Sequence, residues 1–168
     1  YPNGTALPVS ATFVQETTRF RNFGPIAGST ISAGVSISPS VPFLSRQTIN
    51  IDARKYFQIG GGSLLALRMR GLWSDGENPD LFWFGGNGDM RGYNYQSFVG
   101  NKGFFANAEL RFPIIDAAIT PIGFFGPLRG IFFIDMGGAH FIDQTFNIFS
   151  SERRVSSLGA RCGPAQPT

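Results

Sequence analysis

The stretch SLLALRMRGLW, Ser63 to Trp73, sets Leu65, Leu67, Met69 and Trp73 on one side of the chain and Arg68 and Arg70 on the other. This is the two-residue period of a β-strand, with charge in the middle of its polar face. The same alternation recurs along the chain. Between Ser29 and Ser38, Ile31, Ala33, Val35 and Ile37 oppose Thr30, Ser32, Gly34, Ser36 and Ser38. Between Thr48 and Ile59, Ile49, Ile51, Ala53, Phe57 and Ile59 oppose Thr48, Asn50, Asp52, Arg54 and Tyr56, with Lys55 the one misfit. FFANAELRF sets Ala106, Ala108, Leu110 and Phe112 against Asn107, Glu109 and Arg111, and GIFFIDMGG sets Phe132, Ile134 and Met136 against Phe133, Asp135 and Gly137. Weaker strands are predicted at about Thr12 to Phe23 and Val155 to Arg161.

Two settings produce such a pattern. In a soluble antiparallel sheet the apolar face packs on a core; in an outer-membrane barrel it meets lipid and the polar face lines the lumen. Three features favour the barrel. The strands reach about 10 to 12 residues, near the length that crosses a membrane at a tilt. Arg68, Arg70, Glu109, Arg111 and Asp135 stand at mid-strand. Connections alternate, with tight turns at Gly24 to Gly28 and Gly60 to Gly62 and long links at Pro39 to Arg46, Asp75 to Gly103 and Phe141 to Glu152. The link from Ile114 to Leu128, with Pro121 and Pro127, breaks that rhythm by its length.

Composition removes other classes. Gly 22 and Phe 18, against Lys+Arg 14 and Asp+Glu 11, describe turns and aromatics rather than long helices, and no run of about 18 apolar residues forms a transmembrane helix. The net charge of +3 is spread over single or paired basic residues, which argues against a nucleic-acid partner. The lone Cys162 excludes an intrachain disulfide and a cysteine-cluster metal site, and His140, the one histidine, leaves little for zinc or a histidine-based triad. No cofactor, metal or catalytic residue is predicted, and the chain is not expected to be an enzyme.

The stretch FGGNGDMRGYNYQSFVG, Phe84 to Gly100, places Arg91 among four glycines. It lacks the helix N-terminus and the Lys and Ser or Thr that a phosphate cradle needs. Taken with NAELRFP and FFIDMGG, GGNGDMRGY resembles the outer-membrane assembly and two-partner-secretion barrel superfamily, the bacterial surface antigen family whose members include BamA, TamA and FhaC. That family carries a [VI]RG[FY] tetrapeptide on a long loop, an acidic residue on the next strand and F-x-D-x-G on the one after. The matching residues are Met90, Arg91, Gly92 and Tyr93, then Glu109, then Phe133, Asp135 and Gly137. Met90 stands where the family usually has a β-branched residue.

The resemblance implies an all-β fold, the C-terminal part of an antiparallel transmembrane β-barrel over residues 1–168, with about six to seven strands of a larger barrel and a long loop at about 75–103 folded inward. Its implied locale is the outer membrane of a bacterium or of an endosymbiotic organelle. Its implied partners are outer-membrane lipid, unfolded outer-membrane or secreted polypeptide clients, and accessory assembly subunits. Its implied function is outer-membrane protein insertion or polypeptide translocation; a passive channel or structural barrel is the alternative, and a soluble β-sandwich a third. Parity puts Glu109 and Asp135 on the lumen face, where a descending Arg91 could meet both, with Tyr93 and Tyr95 wedged against Phe133 and Gly137. Parity alone leaves open whether Arg91 instead decorates a solvated loop while the lumen charges balance one another.

Overall fold

The computed structural model describes residues 7–21, 24–39, 45–115, 118–121, 123–126, 128–141 and 155–164. They form β-strands and their connections, and no helix long and apolar enough to cross a membrane is present among them. The strands are β1 (Val9–Glu16), β2 (Arg19–Arg21), β3 (Gly24–Ser38), β4 (Arg46–Gly60), β5 (Ser63–Gly76), β6 (Phe82–Phe84), β7 (Phe98–Gly100), β8 (Lys102–Ile115), β9 (Ala118–Thr120), β10 (Gly123–Phe125), β11 (Leu128–His140) and β12 (Val155–Pro164).

One antiparallel sheet runs in the order β1-β3-β4-β5-β8-β11-β12, with β2 also paired to β3. Strands adjacent in this order are consecutive along the chain once short β2 and the two small hairpins, β6–β7 and β9–β10, are set aside. That up-and-down meander is what short connections between antiparallel strands produce. β3, β4, β5, β8 and β11 are 13 to 15 residues long, more than a tilted strand needs to cross the hydrocarbon. The register carries side-chain parity from strand to strand: Lys55 lies opposite Leu67, Leu67 opposite Ala108, and Ala108 opposite Ile134. A slip by one residue would reverse every face, so each pairing reinforces the next.

The two faces differ as lipid and lumen would require. Ile31, Val35, Ile51, Phe57, Met69, Phe132 and Ile134 are all exposed on the outer face, as is Lys55, whose Nζ lies 5.6 Å from the centroid of the Phe57 ring. On the inner face Leu72, Phe105 and Asp135 are buried. A concavity of about 400 Å³ is lined by Glu16, Thr30, Arg54, Arg68 and Glu109, so the sheet curves around its polar side. This is a partial barrel wall.

Three sequence expectations change. Gly24 to Gly28 is strand, not turn: both glycines have positive φ, 108° and 107°, which lets β3 bend beside Thr17 without ending. The strand expected at Thr12 to Phe23 is interrupted at Thr17 and Thr18, where Thr17 bonds Ser29 through both its backbone N–H and its hydroxyl; residues 22 and 23 lie outside the described ones. The long link after Ile114 holds the β9–β10 hairpin at its centre, which accounts for its length. The links over Pro39 to Arg46 and Phe141 to Glu152 fall mostly outside the described residues.

Candidate functional site

The connection from β5 to β8 starts as a hairpin. β6 pairs with β7, Phe82 opposite Gly100 and Phe84 opposite Phe98, and the two phenylalanine rings stack at 5.2 Å. Between them the chain reverses through Gly85 and Gly86, whose φ values of 133° and 82° exclude most side chains. Residues 87–97 form the tip. Met90, fully buried, joins Phe84, Leu72 and Phe105 in one apolar cluster, and Tyr93 packs edge-on against Phe98 at 5.4 Å. The loop therefore lies on the inner face of β5, β8 and β11. Apolar packing carries it there.

Arg91 meets the wall at the centre of this contact. Its Nε donates to Asp135 Oδ2 and its Nη2 to Asp135 Oδ1, each at 3.0 Å, and its backbone N–H donates to Oδ2 at 3.1 Å. Nη2 also lies 2.6 Å from Glu109 Oε1. The planar guanidinium stacks over the Phe133 ring, 3.9 Å from its centroid. A flat cation with several fixed donors suits two carboxylates and an aromatic face together; an ammonium does not. Glu109 and Asp135 are held in turn: Arg111 Nη2 lies 2.7 Å from Glu109 Oε2, and the Asn107 side-chain amide donates to Asp135 Oδ1.

All eight residues that the sequence singles out, Met90 to Tyr93 with Glu109, Phe133, Asp135 and Gly137, fall within this region, but not all in the contacts predicted. Phe133 receives the guanidinium and not a tyrosine. The surface of Gly137 is covered by Met90 and Phe84; a β-carbon there would lie 3.2 Å from the Met90 sulfur and 3.4 Å from the Phe84 ring. Tyr93 turns to Phe98, and Tyr95 is 80% exposed beside Gly86. Met90 and Phe84 together already occupy the surface that glycine at 137 leaves open. Gly92 takes φ 89° on the exposed side of the loop. Of Gly85, Gly86 and Gly88, the last is the one with no positive φ.

Two further contacts escape the sequence reading. Arg68 donates through Nη1 to the Gly88 carbonyl at 3.2 Å and lies 3.5 Å from Asp89, while its Nη2 sits 2.9 Å from Asp52. Asp80, before the hairpin, accepts from Arg46 and Thr48, each at 2.7 Å. Neither belongs to the quoted motifs; the parity of Arg68 and Thr48 was the one available signal. Among the described residues, no three His, Cys, Asp or Glu are grouped as metal ligands would be.

A curved antiparallel sheet with an apolar exterior, a charged interior and an arginine-bearing loop seated on that interior defines a membrane-barrel wall of the outer-membrane type. Residues 13–165 match the Omp85 superfamily domain, and the chain belongs to that superfamily. Its members reside in the outer membrane of bacteria or organelles and in general insert or translocate polypeptides there without enzymatic chemistry. A search of curated proteins gave no match.

Proposed function

We propose that this chain is the C-terminal part of a barrel resembling the BamA, TamA and FhaC group, and that it serves outer-membrane protein insertion or the passage of a polypeptide across that membrane. The observation that carries the reading is the seating of Arg91 between Glu109 and Asp135. An ordered loop on the inner wall would also narrow a passive pore; the polypeptide-handling reading is favoured because this loop lies in a chain of the Omp85 superfamily. Lipid outside, an unfolded polypeptide client and accessory assembly subunits are the partners this role requires. Nothing in it calls for a cofactor.

The test is Arg91→Ala in the full-length protein, expressed in place of the natural chain. Depletion of many outer-membrane barrel proteins would mark an assembly factor, and loss of one secreted polypeptide would mark a dedicated exporter. Normal levels of both, with the loop shown to be released, would reject the reading in favour of a structural barrel.

A further inference from the structure

Besides the contacts of its tip with Arg68 and through Arg91, the loop is tied down at its root, a place that has no part in the motif. At the root, Asp80 Oδ1 accepts from Arg46 Nη1 and Oδ2 from the Thr48 hydroxyl, each at 2.7 Å. The Asp80 backbone N–H donates to Ser74 Oγ at 2.9 Å, and the Asn101 side-chain amide donates to the Asp80 carbonyl at 3.0 Å. Ser74 N–H donates to the Asn101 carbonyl at 2.8 Å, and Asn101 N–H to the His140 carbonyl at 3.1 Å. A carboxylate accepts only, so Thr48 directs its one hydroxyl proton to Asp80. Ser74, 3.1 Å from both the Thr48 hydroxyl and the Gln47 carbonyl, then donates to one of them. Ser74, Thr48 and Asn101 are buried, and each is partnered, as buried polar groups in a stable structure must be.

Asp80 precedes β6 by two residues, and Asn101 directly follows β7. One set of bonds therefore holds both legs of the hairpin to β4, β5 and β11. The stacked Phe84 and Phe98 stiffen what lies between root and tip. We infer that Asp80 is a positioning residue for Arg91: by fixing the root it sets the line along which the hairpin descends and keeps the guanidinium close to Asp135 and Glu109. Two attachments on one short, stiff segment raise each other's occupancy, because the first turns the second into an intramolecular event at high effective concentration. The consequence for activity rests on the functional reading above.

Hydrogen exchange on the full-length protein tests this. Asp80→Ala should speed exchange of the amides of residues 84–93 by about tenfold or more, the factor expected for a lost charge-assisted hydrogen bond. Asp80→Asn, which keeps an acceptor oxygen, should fall between it and the natural protein. Arg91→Ala should likewise speed exchange of the Asp80 amide, because the coupling between the two attachments is reciprocal. If Asp80→Ala fails to assemble, Thr48→Val removes one bond to the carboxylate while Arg46 keeps its partner, and the same amides are read. Unchanged exchange at 84–93 in these variants overturns the inference, as does an increase spread evenly through β4 and β5, which would mark a merely structural role. A loosened tip with undiminished insertion or translocation supports the inference and rejects the functional reading.

Discussion

Asp135 accepts three hydrogen bonds from Arg91, two from the guanidinium at 3.0 Å and one from the backbone N–H at 3.1 Å. The carboxylate side chain is 0% exposed and Arg91 is 15% exposed, so water cannot replace these bonds where they stand. Removing one partner leaves a buried charge uncompensated, at a cost of about 3 to 5 kcal/mol to the seated loop.

Asp135→Ala should therefore release the loop while the strands remain formed. Arg91→Lys should restore only part of the seating, because an ammonium cannot span two carboxylates and stack on Phe133. Protease cleavage within residues 85–97, with barrel integrity followed in parallel, measures the effect. Equal cleavage in Arg91→Lys and the natural protein would show that charge alone suffices.

Packing makes a separate contribution. Met90 is fully buried against Phe84, Leu72 and Phe105, so Met90→Ala should weaken seating by roughly 2 to 5 kcal/mol and Met90→Leu by less than about 1.5 kcal/mol. Gly137→Ala should also loosen the loop, since its β-carbon would come 2.9 Å from the Phe104 carbonyl oxygen and 3.2 Å from the Met90 sulfur. The loss of protease protection relative to the natural protein should change little with salt, because the contact removed is apolar and is not screened.

The sheet was readable from the sequence because alternation is imposed by the pleat itself: Ile134 and Asp135 cannot share a face unless the strand bulges. The inward side of Glu109 and Asp135 follows from the same rule. The contacts of the loop tip do not. Tyr93 and Tyr95 are equally good wedges by type, and it is the folding of the β6–β7 hairpin, by bringing Phe84 and Met90 over Gly137, that fills their place. Asp80 and Arg68 were missed for a related reason. Each binds across strands at positions set by register and hairpin geometry, which no local pattern encodes. Gly24 to Gly28 misled because positive-φ glycines serve a bent strand as readily as a turn.

Arg68 lies between two carboxylates, with Asp52 at 2.9 Å and Asp89 at 3.5 Å, and is 22% exposed. Its hold on the tip is longer and wetter than that of Arg91. Arg68→Gln should loosen residues 87–89 by about 0.2 to 1 kcal/mol, with the effect fading as salt rises. Asp52→Ala, which touches the loop only through Arg68, should do less than Asp135→Ala. Combined with Arg91→Ala, Arg68→Gln should show non-additive loss, since both arginines hold one segment. Strict additivity in a double-mutant cycle would mean that the two contacts restrain the tip independently.

The faces of β11 can be read directly in the membrane. Ile134 is 53% exposed on the outer side and Asp135 is 0% exposed on the inner. In lipid the first side chain meets hydrocarbon and the second meets the loop. Ile134→Lys should impair insertion of the barrel by about 2 to 4 kcal/mol if the residue lies near the bilayer midplane, and less toward either interface. Ala139→Lys, on the inner face near the C-terminal end of the strand and packed against the Met90 cluster, should disturb the loop before it disturbs insertion. With Cys162 replaced, a single cysteine at 134 should react with a lipid-soluble maleimide and resist a water-soluble one. A cysteine at 135, which itself removes the carboxylate that holds Arg91, should be open to the water-soluble reagent from the lumen side. Equal reaction of positions 134 and 135 with the water-soluble reagent would place both side chains in water and remove the physical basis for a lipid face on this strand.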